Sequence, residues 1–465
     1  MINLLRPFYG MPMKNKISVL FFLLIAFSAT AQNKKWTLQE CVEYAFKNNI
    51  SVRQSELDLK TTEVTKSDAV GNFLPSASLS AGHSWNIGLT QNLSGILQQQ
   101  TTQFTTAGFS TQVDIYKGLQ NQMQLRRAKM AIIAGQYQLQ KMKDDIGLNV
   151  ANAFLDILFN KENLKVQQQQ LQIDTEQAAR AKQLLEGGQI PRGDLMDIEA
   201  TVSTDRQRVV QAENTLLISK LSLAQLLQLD DFATFDIADE EYNMEDSEVF
   251  LQTPEAIYEK AKTLRTEIKL AQANLDVAEQ DVKIARSAYQ PSLIGFYSLN
   301  TRATYNDYTT FNDAGELITQ SPPPFWTQFW DNKGHSFGLQ LNIPILNGFA
   351  TRNNVQRSKI TLERSKLAFE QQQLDLERTI YTAYTDAQGA LKAYEAAVSA
   401  ANARAESLNY ATERYGVGLI NVFDLNQAQV LSVNAQSEVL RSKYEFIFRV
   451  KILEFYFGLP IFQKQ

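Results

Sequence analysis

At 465 residues the chain is long enough for two or three ordinary domains, and 44% hydrophobic content is that of a folded protein. A formal charge of −5 argues against a nucleic-acid partner. The single cysteine, Cys41, excludes an intramolecular disulfide framework, and with only His83 and His335 beside it no usual zinc set can form.

The first predicted element is an export signal. Met13-Lys14-Asn15-Lys16 is a positive n-region, Ile17 to Phe27 an apolar h-region, and Ala29-Thr30-Ala31 a small-x-small cleavage site. Residues 1–31 are therefore expected to be removed, with the mature chain starting at Gln32 and the true start codon at Met1 or Met13. The apolar run is too short for a retained membrane anchor. Removing this segment, which holds Arg6, Lys14 and Lys16 and no acid, takes the formal charge from −5 to −8. Beyond Ala31 no run of 18 or more uncharged apolar residues follows. The nearest, Tyr444 to Phe462, carries Glu445, Arg449, Lys451 and Glu454 and reads as an amphipathic helix.

The rest reads as two copies of one unit, residues 32–229 and 253–465, joined by an acidic linker at 230–252. Trp36-Thr37-Leu38-Gln39-Glu40 starts a helix with Thr37 as N-cap and Glu40 three residues on, and the helix runs to Asn72. At an offset of 216, Thr253-Pro254-Glu255 starts a similar helix that stops at Tyr289-Gln290-Pro291-Ser292. Beyond the strands the offset becomes 230: Lys117-Gly118 matches Asn347-Gly348, Gly188-Gln189-Ile190 matches Gly418-Leu419-Ile420, and Asp194-Leu195 matches Asp424-Leu425.

Each copy has two strands, predicted at about 76–88 and 106–116, then 292–305 and 335–346. In the first, Ala77, Leu79, Ala81, His83, Trp85 and Ile87 alternate with Ser78, Ser80, Gly82, Ser84 and Asn86. Phe337, Leu339, Leu341, Ile343 and Ile345 alternate in the same way with Ser336, Gly338, Gln340, Asn342 and Pro344. One apolar and one polar face over about ten residues is the pattern of a transmembrane β-barrel. A soluble sheet packed on helices alternates in the same way. Export and the small polar residues favour the barrel. Four strands cannot close, and open edges are not viable in lipid, so several chains must share one barrel. The joining loops are expected at 88–105 and 306–334. The second holds Phe325-Trp326 and Phe329-Trp330, aromatics suited to the lipid headgroup level.

Long helices follow the strands. Steps of four and three pick out Ile146, Val150, Ala153, Ile157, Asn160, Leu164, Gln167, Leu171, Asp174, Ala178, Ala181 and Leu185 in the first copy. The second gives Leu376, Ile380, Ala383, Ala387, Ala390, Tyr394, Ala397, Ala401, Arg404, Leu408, Ala411 and Tyr415, where only Arg404 breaks an apolar or alanine seam. Run back to Gly118 and Gly348, each helix would hold about 66 residues and reach ~100 Å. Gly187-Gly188 and Gly416-Val417-Gly418 end these helices, and a capping residue at or near Asp194 or Asn421 starts the next. These turns are expected at a periplasmic tip far from the strands.

The duplication, the two-strand insertion after a proline, the glycine-turned heptad hairpin and Asn342-Ile343-Pro344-Ile345-Leu346-Asn347-Gly348 together resemble the TolC-like outer-membrane factor family over essentially all of residues 36–460. The first copy departs from the last motif, reading Val113-Asp114-Ile115-Tyr116-Lys117-Gly118. The resemblance implies an α+β membrane protein: a homotrimer with a shared twelve-stranded β-barrel and a hollow α-barrel through the periplasm. It implies an exit duct for a tripartite efflux pump or a type I secretion system in the outer membrane of a Gram-negative bacterium. A periplasmic adaptor would dock on the tips, and an inner-membrane RND or ABC transporter would supply energy. Residues 230–252 and the C-terminus would form an equatorial belt.

The resemblance also places a polar, acidic gate at Asp194, Tyr415 and Asp424, with adaptor-docking turns at Gly188, Ile190, Gly418 and Leu419. Three copies of Asp424 would make a cation-selective constriction. The plainer roles are helix capping for Asp194 and Asp424 and positive φ for Gly188 and Gly418. No catalytic, cofactor or metal site is expected. Gly187-Gly188 lacks the Lys-Ser/Thr of a P-loop, Asp144-Asp145 reads as a solvated charged face, and Cys41 as a small buried helix residue. A periplasmic coiled-coil adaptor or scaffold is the alternative class, and it would need neither four lipid-compatible strands nor long aromatic loops.

Overall fold

The computed structural model describes residues 35–91, 97–230, 234–240 and 248–459. The expected signal segment, residues 1–31, lies outside them, as does much of the linker at 230–252. Contacts divide the chain into two compact units, one from residues up to Ser55, Leu139–Arg265 and Leu374 onward, the other from Glu56–Gln138 and Thr266–Gln373.

In chain order the elements are β1 (Lys35–Trp36), α1 (Leu38–Asn48), α2 (Ile50–Gly71), β2 (Ser76–Gln91), β3 (Leu97–Lys117), α3 (Gln120–Glu186), α4 (Arg192–Leu227) and β4 (Asp236–Ile237). The second copy follows with α5 (Pro254–Leu264), α6 (Thr266–Ser287), β5 (Ser292–Thr304), β6 (Tyr308–Phe311), β7 (Leu317–Gln320), α7 (Phe325–Asp331), β8 (Gly334–Asn342), α8 (Ala350–Gly416) and α9 (Val422–Phe457). Both long helices have 67 residues and both return helices 36.

The capping box at Thr37 is formed in both directions, the Glu40 N–H donating to Thr37 Oγ1 at 3.2 Å and the Thr37 N–H to Glu40 Oε2 at 3.1 Å. Thr253 caps α5 with Pro254 at its first position. The helix predicted to run unbroken to Asn72 is instead two helices. Asn49 leaves the helical region, accepts from the Ser51 N–H through Oδ1 and donates to the Leu226 carbonyl at 2.9 Å. Arg265, 216 positions on, makes the same break, its guanidinium 3.7 Å from the Phe455 ring centre. A long-range partner for one polar side chain is invisible to periodicity, so the break was missed.

In the first unit the core gathers Cys41, Val42, Phe154, Ile157, Leu223, Leu227 and Ile237, all fully or nearly fully buried. Every position of the two seams is buried or half-buried except Arg404, which is exposed. Burial pushes the Cys41 thiol up to about 12, so it is inert. Asp144 is not the freely solvated carboxylate expected, since it lies 4.0 Å from the Arg265 guanidinium. Lys161 binds Asp236 at 3.0 Å and Asp239 at 3.1 Å, and Lys220 also reaches Asp236 at 2.9 Å, pinning β4 to α3 and α4.

The second unit holds a four-stranded antiparallel sheet in the order β2-β3-β5-β8. The first hairpin is longer than the alternation predicted. Leu97 to Gln103, expected as loop, pairs with Gln91 to Trp85. Its Thr and Gln residues show no hydropathy alternation, but the hydrogen-bond ladder does not need one. β8 stops at Asn342 instead of 346, two residues before Pro344, which has no N–H to offer. The 306–334 segment is not a plain loop. It contains the β6–β7 hairpin and α7.

Candidate functional site

The sheet register sorts the side chains of one face into rows. Leu79, Phe109, Leu299 and His335 stand side by side, as do Ala77, Thr111, Tyr297 and Phe337. On the opposite face Ser78, Ser110, Ser298 and Ser336 form a row of four hydroxyls, with Ser78 Oγ and Ser110 Oγ 2.8 Å apart. Leu79 and Phe337 are each 80% exposed, far more apolar surface than a soluble sheet leaves in water. Gly295 lies on the apolar face, where a Cβ would come 3.2 Å from Ile115 Cδ1, so glycine there makes room for the residue bulged out between Asp114 and Tyr116. β2 and β8 each leave one edge without a partner in the sheet. His83 Nδ1 is 2.8 Å from Thr105 Oγ1 and His335 Nδ1 is 3.0 Å from the Tyr297 hydroxyl. Among the described residues no cluster of three or more His, Cys, Asp or Glu could hold a metal ion.

α7 lies against the apolar face. Thr301 and Ala303, in register with the Tyr297 and Leu299 face, are buried, and Thr301 Oγ1 donates to the Phe329 carbonyl at 2.8 Å. Gln328 fastens the helix: its Oε1 accepts from the Thr304 N–H at 2.9 Å, and its Nε2 donates to the carbonyls of Thr304 at 2.9 Å and Pro323 at 2.7 Å. Trp326 and Trp330 remain exposed. Among the described residues no helix is long and apolar enough to cross a membrane.

The tip turns belong to the first unit. α3 ends with the Gly188 N–H donating to the Leu185 carbonyl and the Gln189 N–H to the Leu184 carbonyl. α8 ends identically 230 positions on, with Gly418 to Tyr415 and Leu419 to Arg414. This is a Schellman motif in both copies, with φ +70° at Gly188 and +75° at Gly418. An added Cβ would meet nothing within 4 Å at either glycine, so backbone conformation alone requires them.

Neither Asp194 nor Asp424 is an N-cap. α4 starts after Pro191 with no side-chain cap, and α9 is capped by Asn421, whose Oδ1 accepts from the Asp424 N–H at 2.9 Å. Both aspartates stand at the third helical position, where the carboxylate favours the helix dipole. Ile190, Leu195 and Tyr415, each half-buried, pack with Ala178, Ala181, Ile198 and Val422. Tyr415 and Asp194 are brought together: burial first, then the Asp194 charge, raises the tyrosine above its ordinary value. Asp424 is elsewhere, lining a groove of about 730 Å³ between α8 and α9 with Arg404, Tyr410, Arg414, Ile420 and Gln427. Leu419, Val417 and Phe423 are exposed.

One polar pair was not picked out from sequence. Asp174, a member of the α3 seam, and Asp205 of α4 are both almost wholly buried, and their carboxyls are in hydrogen-bonding contact. The signal was an acid at a heptad seam position, which the seam count passed over.

The chain matches the sequence profile described as Outer membrane efflux protein over residues 42–228 and 257–454, one stretch per repeat. It is 22% identical over 398 residues to Protein CyaE of Bordetella pertussis, covering 84% of this chain and 77% of that one. It is also 22% identical over 440 residues to Outer membrane protein TolC of Escherichia coli, covering 94% and 84%. In fold it is similar to the Vibrio cholerae outer membrane protein VceC (TM-score 0.72, 16% identity, 91% of this chain and 97% of that one). The same holds for the CmeC outer membrane channel of Campylobacter jejuni (TM-score 0.74, 16% identity, 92% and 86%). With both repeats matched and one amphipathic sheet in place, the chain belongs to the outer membrane efflux protein family, a TolC-like α+β protein of the Gram-negative outer membrane.

Proposed function

We propose that this protein is the passive exit duct of a tripartite efflux pump or a type I secretion system, three copies closing one twelve-stranded barrel. The observation that carries the reading is the four-stranded sheet itself, apolar on one face, hydroxyl-lined on the other, and open at both edges. In hydrocarbon each unpaired edge group costs several kcal/mol, which neighbouring copies remove by pairing. The serine face then lines the lumen and the Leu79 and Phe337 face meets lipid.

Asp194 and Tyr415, near enough for the carboxylate's charge to act on the phenol, hold the entrance closed, and Asp424, repeated in each copy, supplies negative charge at the constriction. Gly188, Ile190, Gly418 and Leu419 form the turns on which a periplasmic adaptor docks. An inner-membrane RND or ABC transporter drives the cargo. Conductance in planar lipid tests the duct. The protein should run as a heat-dissociable trimer and conduct ions, and Asp424→Ala should lower cation selectivity. A non-conducting monomer would overturn the duct, and unchanged selectivity would remove Asp424 from the gate. Because Cys41 is buried and inert, Leu419→Cys carries a single reactive thiol, and failure to cross-link to co-expressed adaptor would remove the docking assignment.

A further inference from the structure

We propose that Asp174 and Asp205 form a proton-binding site that ties α3 to α4, so that the grip of this hairpin depends on pH. Asp174 is 2% exposed and Asp205 3%. Gln170 Nε2 donates to Asp174 Oδ2 at 2.7 Å, and Arg208 Nη1 donates to Asp205 Oδ1 at 3.1 Å. That leaves Asp205 Oδ2 buried with no donor. Two carboxylates cannot both be ionised in such a place with one half-exposed cation beside them, and an acceptor-only oxygen facing a second carboxyl needs a proton between them. One proton on Asp174, donated to Asp205, satisfies both groups.

The surroundings support one shared proton. The charged groups acting on Asp174 are Asp205 and Arg208, both on α4, while its own helix contributes the neutral Gln170. α9 packs alongside, the Asn426 amide donating to Thr201 Oγ1 at 3.1 Å, and its next buried polar residue is the neutral Gln429, whose Oε1 also lacks a donor. Burial first, and then the bond to Asp205, pushes Asp174 up to about 7. Folded and locally opened states therefore differ by one proton between the ordinary carboxylate range and neutrality. The raised value makes the contact strongest in acid and progressively weaker as pH rises through that window. Above it two adjacent buried carboxylates repel across the hairpin that ends in Gly188. The proton site stands whether or not that turn docks an adaptor.

Infrared titration of the full-length protein in detergent tests the site. A protonated-carboxyl C=O band should be present at pH 5, disappear with a midpoint near the value above, and be absent from both Asp174→Asn and Asp205→Asn. Amide hydrogen exchange of the segment around Asp174, corrected for the intrinsic rate, reads the mechanical consequence. Protection should fall by about tenfold per pH unit between roughly pH 4 and 7 and then level off, as one released proton requires. In Asp174→Asn that slope should vanish. If a variant does not fold, the wild-type titration alone decides. A band lost only in the ordinary carboxylate range, or protection independent of pH, overturns the proposal.

Discussion

Gln228 and Gly458 end equivalent helices, 230 positions apart, in the same left-handed conformation, with φ 59° and 92°. Only one of them is glycine. A side chain in this region costs about 1–2 kcal/mol, partly offset at Gln228 by the bond from Nε2 to the Gln225 carbonyl at 2.8 Å. Gln228→Gly should raise stability by up to ~1 kcal/mol. Gly458→Gln should lower it by more, because the new Cβ would come 2.7 Å from Leu264 Cδ1. Thermal unfolding of the two variants in the same detergent checks the opposite signs.

Asn421→Ala should cost about 1 kcal/mol, the usual value of an N-cap. The loss should be local. Hydrogen exchange should show faster opening in the first turn of α9, around Asp424, while the sheet is unchanged.

Gln328→Leu should release α7 from β5. It removes four hydrogen bonds from a buried side chain and leaves the Thr304 N–H unpaired, on the order of 3 kcal/mol in all. Tryptophan emission from Trp326 and Trp330 should change and proteolysis within 306–334 should quicken. Ion conductance should persist, since no strand of the wall is touched.

Acid should weaken the clasp between β4 and the helices. Burial alone would push Asp236 up, but bonds from Lys220 and Lys161 outweigh it and hold the carboxyl below the ordinary range. Asp239 is held down by Lys35. Lowered carboxyls contribute stability above the ordinary range and lose it as pH falls through their folded values. Lys161→Met should therefore destabilise the protein most near neutrality and progressively less as pH falls through the folded values of Asp236 and Asp239, with acid unfolding beginning at a higher pH. Circular dichroism during acid titration checks this.

The duplication and heptad seams were legible because both are periodic, and the seam positions from Leu376 to Tyr415 are covered wherever the spacing placed them, Arg404 apart. Strand pairing was legible only where hydropathy alternates. Leu97 to Gln103 pairs without alternation, through its backbone, and escaped notice. Asn49 and Arg265 break helices through partners far along the chain, Leu226 and Phe455, which no local pattern reports. Asp194 and Asp424 looked like caps because acids favour helix starts, yet a proline and an asparagine occupy those places. Tyr415 lies near enough to feel the charge of Asp194, more than two hundred residues away in the chain, and it took the fold to reveal it.

The serine row has a consequence for traffic. Hydroxyl groups bear no net charge and lend or accept hydrogen bonds with equal ease, so a belt of them neither repels nor captures a passing solute. In the duct proposed above, Ser78, Ser110, Ser298 and Ser336 would not sort solutes by sign, and that discrimination would fall to Asp114 and Arg302 on the same face.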